Sequence, residues 1–179
     1  MTGVKLIPSD ERLVPEEFLQ SNAGMIRRNL IENIKGESYP EFISIVNGND
    51  PRNSDKIVSS INHRTRNLFP PKAAFLGIGS DGHTASLFHD SKHDIKSEKQ
   101  FQLIDRLCES YQRITVSYSV FINTPILIFL VCGNSKKSAL ESILNKESRN
   151  SQSPVRTVLE KSKGDVLIMC DQNALPKDI

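Results

Sequence analysis

Gly79-Ser80-Asp81-Gly82-His83 places a carboxylate and an imidazole two residues apart, framed by glycines. A histidine side chain has an ordinary pKa of about 6.5 and suits a general base near neutrality. Asp81 can fix its tautomer or stabilise the imidazolium. Gly79 and Gly82 permit a positive φ or the close approach of a ligand to the backbone. Residues 73–78 read as a buried strand entering this turn, and the residues after His83 as a helix start. The free N–H groups of such a helix would hold an oxyanion or a phosphate. The pattern is that of a site for an anionic substrate and proton transfer. Arg12 and Arg113 are candidate anion clamps, because the planar guanidinium fork matches phosphate.

Two other readings of these residues are weaker. Gly77-x-Gly79-x-x-Gly82 formally matches the dinucleotide fingerprint, which expects an acid about 20 residues on, at the end of a second strand. Glu98 has that spacing but lies in a polar stretch. His89 and His93 are four apart and His63 is distant, without the further ligands of a zinc site. Lys136 and Lys137 read as surface charges.

The elements that must position these groups alternate in type. Residues 4–7 predict a short strand. Ser21 or Asn22 caps a helix with apolar positions Met25, Ile26, Leu30 and Ile34, stopped by Gly36. Residues 42–46 are β-rich and end at the turn signal Asn47-Gly48. A helix over 54–68 turns Ile57, Val58, Ile61 and Leu68 inward, and residues 90–100 read as loop. Strands follow at 101–104 and through Ile114, Val116 and Tyr118. Residues 126–132 are continuously apolar, as in a fully buried parallel strand. Helices over 135–144 and from Pro154 to Lys161 precede a last strand at 165–170. This alternation argues α/β with a mainly parallel sheet, in which ligands sit at the carboxyl ends of strands.

The chain has 179 residues, 37% apolar and 25% charged, the balance of an ordinary single soluble domain. A net charge of +2 is too small to imply nucleic acid. Cys108, Cys132 and Cys170 are odd in number and lack a C-x-x-C, which predicts reduced, buried thiols in a cytoplasmic protein. No run reaches the ~18 apolar residues of a membrane span. The N-terminus lacks a signal-peptide pattern.

Taken together, these segments resemble the 6-phosphogluconolactonase family of the glucosamine-6-phosphate isomerase superfamily. Residues 9–15 with Ser21-Asn22 and residues 25–28 look like its D-E-R-x-V-P…S-N block. Residues 76–88 look like its L-G-x-G-x-D-G-H-T-A-S-L-F signature, the most specific of the matches. Residues 113–117 look like its R-[IV]-T-[LV]-[ST] strand, and 128–144 with 153–155 like its closing strand–helix–loop. Asp81 before Gly82-His83 favours the lactonase branch over the isomerases and deaminases, which carry N-G-H.

The resemblance implies a three-layer α/β fold, a mainly parallel open sheet with helices on both faces (Rossmann-like), over one domain, 1–179. It implies hydrolysis of 6-phosphoglucono-1,5-lactone, with His83 deprotonating water and Asp81 supporting it. Turn N–H groups or an arginine would hold the oxyanion, and Arg12 and Arg113 the phosphosugar. It implies no cofactor or metal for this hydrolysis and a small phosphosugar lactone as partner; the composition adds the expectation of no nucleic acid and no membrane, and a monomer is the expected state though the sequence does not give it. Two departures stand out. The family's N-terminal helix and first strand, with an S-G-G-[ST] phosphate loop, have no match, so the chain reads as N-terminally short. Residues 108–112 lack the lysine usual before the Arg113 position. A sugar-phosphate isomerase or deaminase, and an inactive remnant or binding module, are the competing expectations.

Overall fold

The computed structural model describes residues 3–36, 38–91, 95–105, 110–145 and 153–177. The chain divides into two compact units, residues 1–66 with 101–115, and residues 67–100 with 116–179. Both mix strands with helices, and parallel pairing occurs in each. The strands are distributed over three small sheets.

In the first unit, β1 (Lys5–Leu6) pairs in parallel with β3 (Glu41–Phe42). A second sheet has the order β2 (Asp10–Arg12), β6 (Arg113–Val116), β5 (Phe101–Ile104), with β2 antiparallel to β6. Helix α1 (Asn22–Asn29) starts as its sequence predicts: Ser21 Oγ accepts the Gly24 N–H at 3.0 Å. It buries Ala23 and Gly24, while Met25 and Leu30 are exposed. The apolar periodicity therefore does not mark the packed face. A Cβ at Gly24 would overlap the Glu16 carbonyl oxygen, so the smallest side chain sets the approach. The helix ends well before Gly36, where Asn29 and Asn33 side chains donate to the Met25 and Arg28 carbonyls and compete with the helical ladder.

Helix α2 (Ser54–Thr65) buries Ile57, Ile61 and Thr65 at four-residue spacing. Asn62 on this helix donates to the Phe101 carbonyl at 2.9 Å and accepts its N–H at 3.0 Å, which fastens α2 to β5. The β-rich stretch 42–46 is buried through 43–46, yet only Glu41–Phe42 is strand. The Arg64 guanidinium takes the Ser44 and Ile45 carbonyls that a ladder would have used.

In the second unit, β4 (Ala74–Leu76), β7 (Ile126–Val131) and β8 (Asp165–Cys170) form an all-parallel sheet in that order. Helices α3 (Tyr118–Asn123), α4 (Lys137–Leu144) and α5 (Pro154–Lys161) accompany it. Tyr118, expected in a strand, opens α3 instead. Ser117 is extended at its N-cap, and Thr124 before Pro125 ends it. Residues 126–132 do form a parallel strand but are not buried throughout. Leu127, Phe129 and Val131 are buried, whereas Ile126 and Leu130 are exposed together with Phe75, Leu167 and Met169 of the neighbouring strands. Cys132, expected buried, is an exposed free thiol; Cys170 is half-buried, and Cys108 lies outside the described residues. No helix among the described residues is long and apolar enough to cross a membrane.

Candidate active site

The loop after Leu76 is closed by its own backbone. Gly79 N–H donates to the His83 carbonyl at 2.8 Å, and Gly82 N–H to the Gly79 carbonyl at 3.0 Å. Gly82 has φ +79°, a conformation side chains resist. A Cβ there would also come within 2.9 Å of the Ser153 Cβ. The Gly82 carbonyl accepts the Val155 N–H at 3.2 Å, so the loop rests on the first turn of α5. Ser153, whose Oγ accepts the Arg156 N–H, caps that turn.

The helix expected after His83 is absent. Thr84 pairs with Leu87 as an isolated antiparallel bridge, Leu87 N–H bonds the Thr84 carbonyl at 2.9 Å, and Ala85 lies at φ +49°. A residue at positive φ breaks the helical path at its second position. The dipole and free N–H groups of a following helix are therefore not part of this loop. The loop touches the start of α5, whose Val155 N–H is taken by the Gly82 carbonyl.

Asp81 and His83 do meet. His83 Nδ1 lies 2.5 Å from Asp81 Oδ1, and the His83 backbone N–H reaches the same oxygen at 3.2 Å. Burial works against the Asp81 carboxylate, but the bonds from His83 outweigh it and hold its pKa below the ordinary value. An ionised carboxylate has no proton to give, so Nδ1 is the donor and Nε2 is left as the basic nitrogen. The imidazole stacks at 45° on Phe88, ring centroids 4.6 Å apart. Thr84, Ser86, Leu87 and Phe88, which follow it in the chain, are all buried.

Gly79 has a role that its spacing does not announce. The space above its Cα is filled by the His83 ring: a Cβ there would fall on Nδ1 and come within 2.7 Å of Asp81 Oδ1. The glycine makes room for the aspartate–histidine pair itself. Gly79→Ala should therefore displace the pair while leaving the rest of the loop in place. The expected result is a loss of about 10²-fold in any turnover that depends on this pair, the scale of a misplaced catalytic group. It is read by steady-state kinetics alongside an unchanged cooperative thermal transition.

Arg12 and Arg113 lie in the first unit, brought together by strand register: they are direct partners on β2 and β6, as are Asp10 and Thr115. Alternation places Asp10, Arg12, Arg113 and Thr115 on one side and Glu11 and Ile114, both fully buried, on the other. Arg12 Nη1 donates to the Gln20 carbonyl and to Asn22 Oδ1, each at 3.0 Å. Arg113 Nη1 is 4.0 Å from Asp10 Oδ2. Sequence reasoning placed Glu11 and Asn22 in a family block, and Asn22 as a possible helix cap, but read no part for either in holding Arg12 or β2. Glu11 is a charged residue followed by Leu13 and Val14, two buried apolar positions, and that was the available signal.

A comparison with known families matches residues 1–168 to the glucosamine-6-phosphate isomerases/6-phosphogluconolactonase family. A 6-phosphogluconolactonase of Xylella fastidiosa is 30% identical over 159 residues, 84% of this chain and 64% of that protein. One of Pseudomonas aeruginosa is 32% identical over 162 residues, again 84% and 64%. The chain thus spans less than two thirds of the length of these relatives. Among solved structures, a 6-phosphogluconolactonase from Shewanella baltica superposes with a TM-score of 0.77 at 24% identity, over 93% of this chain and 71% of that one. At that identity the likeness is one of fold.

Proposed function

Since the chain belongs to the glucosamine-6-phosphate isomerase/6-phosphogluconolactonase family, we propose that it hydrolyses 6-phosphoglucono-1,5-lactone to 6-phosphogluconate, a step of the pentose phosphate pathway. The observation that carries this reading is the Asp81–His83 pair, with Nδ1 committed to the carboxylate and Nε2 left basic. His83 Nε2 takes a proton from water as the water oxygen bonds to the lactone carbonyl carbon. The tetrahedral intermediate then collapses with cleavage of the bond from that carbon to the ring oxygen, and the imidazolium returns its proton to the departing oxygen. Water is consumed and no electrons are exchanged, so the reaction balances without a further reactant. Asp81 stabilises the imidazolium during the cycle. The positive side of β2 and β6, with Arg12 and Arg113, is the part suited to the phosphate of the substrate.

This assigns a soluble phosphosugar lactone as ligand and the cytoplasm as the setting, with 1–179 acting as one lactonase-like domain. The test is the rate of 6-phosphogluconate formation from fresh lactone by the purified chain, set against spontaneous opening and against ammonia release from glucosamine 6-phosphate. Accelerated lactone opening without ammonia release is the expected result. Ammonia release would move the protein to the deaminase branch, and no acceleration of either would remove the enzymatic reading.

A further inference from the structure

Two arginines facing each other across β2 and β6 repel, and such like-charge cross-strand pairs are destabilising. Arg12 is nonetheless not neutralised by a neighbour: among the described residues its guanidinium meets two neutral oxygens, the Gln20 carbonyl and Asn22 Oδ1, and no carboxylate. Something must hold it against Arg113 without cancelling its charge. Asn22 has the chemistry to do so. Its Oδ1 accepts from Arg12 Nη1, and its Nδ2 donates to the Asp10 carbonyl at 2.9 Å and to Asp10 Oδ1 at 3.2 Å. Its own backbone N–H donates to Glu11 Oε1 at 2.7 Å. One residue at the first position of α1 thus binds all three residues of β2.

The orientation of this amide is fixed by its partners. Arg12 can only donate, and the two Asp10 oxygens can only accept. A flipped amide would set NH₂ against a guanidinium and an oxygen against a carboxylate. No other side chain of this size serves both ends. Aspartate would attract Arg12 but repel Asp10, and alanine would release both.

We propose that Asn22 is a positioning residue for anion binding: it aims the Arg12 guanidinium while leaving its positive charge available for the substrate phosphate. The proposal deepens the functional reading above and rests on its assignment of Arg12 to that phosphate.

Two substitutions test it, with 6-phosphogluconate binding followed by titration calorimetry. Asn22→Ala should weaken binding about tenfold, the scale of a lost hydrogen bond to a charged group. In an Arg12→Ala background the same change should cost nothing further, because there is then no guanidinium to aim. Asn22→Asp guards against a trivial folding defect. Its carboxylate gains Arg12 and the start of α1 but faces Asp10, opposing effects on stability, so this variant should keep a cooperative thermal transition yet bind the anion at least tenfold more weakly, its new carboxylate having claimed Arg12. A purely structural role for Asn22 would make binding follow stability, and Asn22→Asp separates the two. Native-like binding by Asn22→Asp, or additive losses in the double variant, overturns the proposal while Arg12 keeps its role. If Arg12→Ala binds as tightly as the native chain, or the native chain does not bind 6-phosphogluconate, the assignment of Arg12 fails and the proposal falls with it.

Discussion

His83→Ala is expected to lower the enzymatic rate of lactone opening by about 10³-fold, the usual worth of a general base. The argument is geometric first. Asp81 Oδ1 engages one imidazole nitrogen at 2.5 Å, so the ring's other nitrogen is its only base. Phe88 fixes the ring plane, and Gly79 leaves the space the ring occupies. Removal of the imidazole leaves the loop's two backbone bonds untouched, so the variant should fold as the native chain does. Asp81 does not confuse this measurement. Its pKa lies below the ordinary carboxylate value of 3.8, so it is ionised at the neutral pH of the assay. The stability it contributes is present above that value and is lost only as pH falls through the depressed one. A His83→Ala chain that retains native turnover would assign the base elsewhere and leave the aspartate–histidine pair as a structural clasp.

How much of this was legible depends on whether a residue's role is local. Ser21, Pro154 and the 165–170 strand were readable because caps, helix-opening prolines and short apolar runs act within a few residues. That Asp81 and His83 share one tight turn was readable for the same reason; whether Asp81 meets the imidazole or a loop amide was not, and the 2.5 Å contact with Nδ1 answers it. What the sequence hid depends on partners distant in the chain. Residues 43–46 have strand composition, but Arg64, about twenty residues away, takes two of their carbonyls. The exposed side of β7 carries the same aliphatic residues as its buried side, and composition does not say which side is covered. Gly79 reads as a ligand contact until the ring that fills its Cβ position is seen. The helix expected after His83 failed at Ala85, a residue whose positive φ no propensity would suggest.

Glu11 is where the largest loss of stability is expected. Its side chain is wholly buried, and its two carboxyl oxygens accept four bonds. These come from the Arg12, Asn22 and Ala23 backbone N–H groups at 2.9, 2.7 and 2.7 Å and from the Ser21 hydroxyl at 3.1 Å. Two of the N–H groups open helix α1, which lacks an acid of its own in its first turn. Glu11 therefore serves as that acid from the neighbouring strand. Glu11→Gln keeps the volume but turns an NH₂ toward the donors of one carboxyl oxygen, leaving at least one backbone N–H, that of Ala23, without an acceptor and forcing the Ser21 hydroxyl to turn. At 1–3 kcal/mol for a buried unsatisfied group, a loss of about 2 kcal/mol follows. Chemical denaturation should show it as a lower midpoint at unchanged slope. The pH dependence has a definite sign. Burial pushes the Glu11 carboxyl above its ordinary 4.5, and the four bonds only partly pull it back. Between 4.5 and the raised value the folded chain binds more protons than the unfolded one. The contribution of Glu11 is thus fully present below 4.5 and declines as pH rises through the folded value. The native chain's advantage over Glu11→Gln should be widest in mild acid and narrow toward neutrality, without vanishing, because the ionised carboxylate still holds its four donors. A constant difference across that range would mean that the bonds to α1 fully offset the cost of burial.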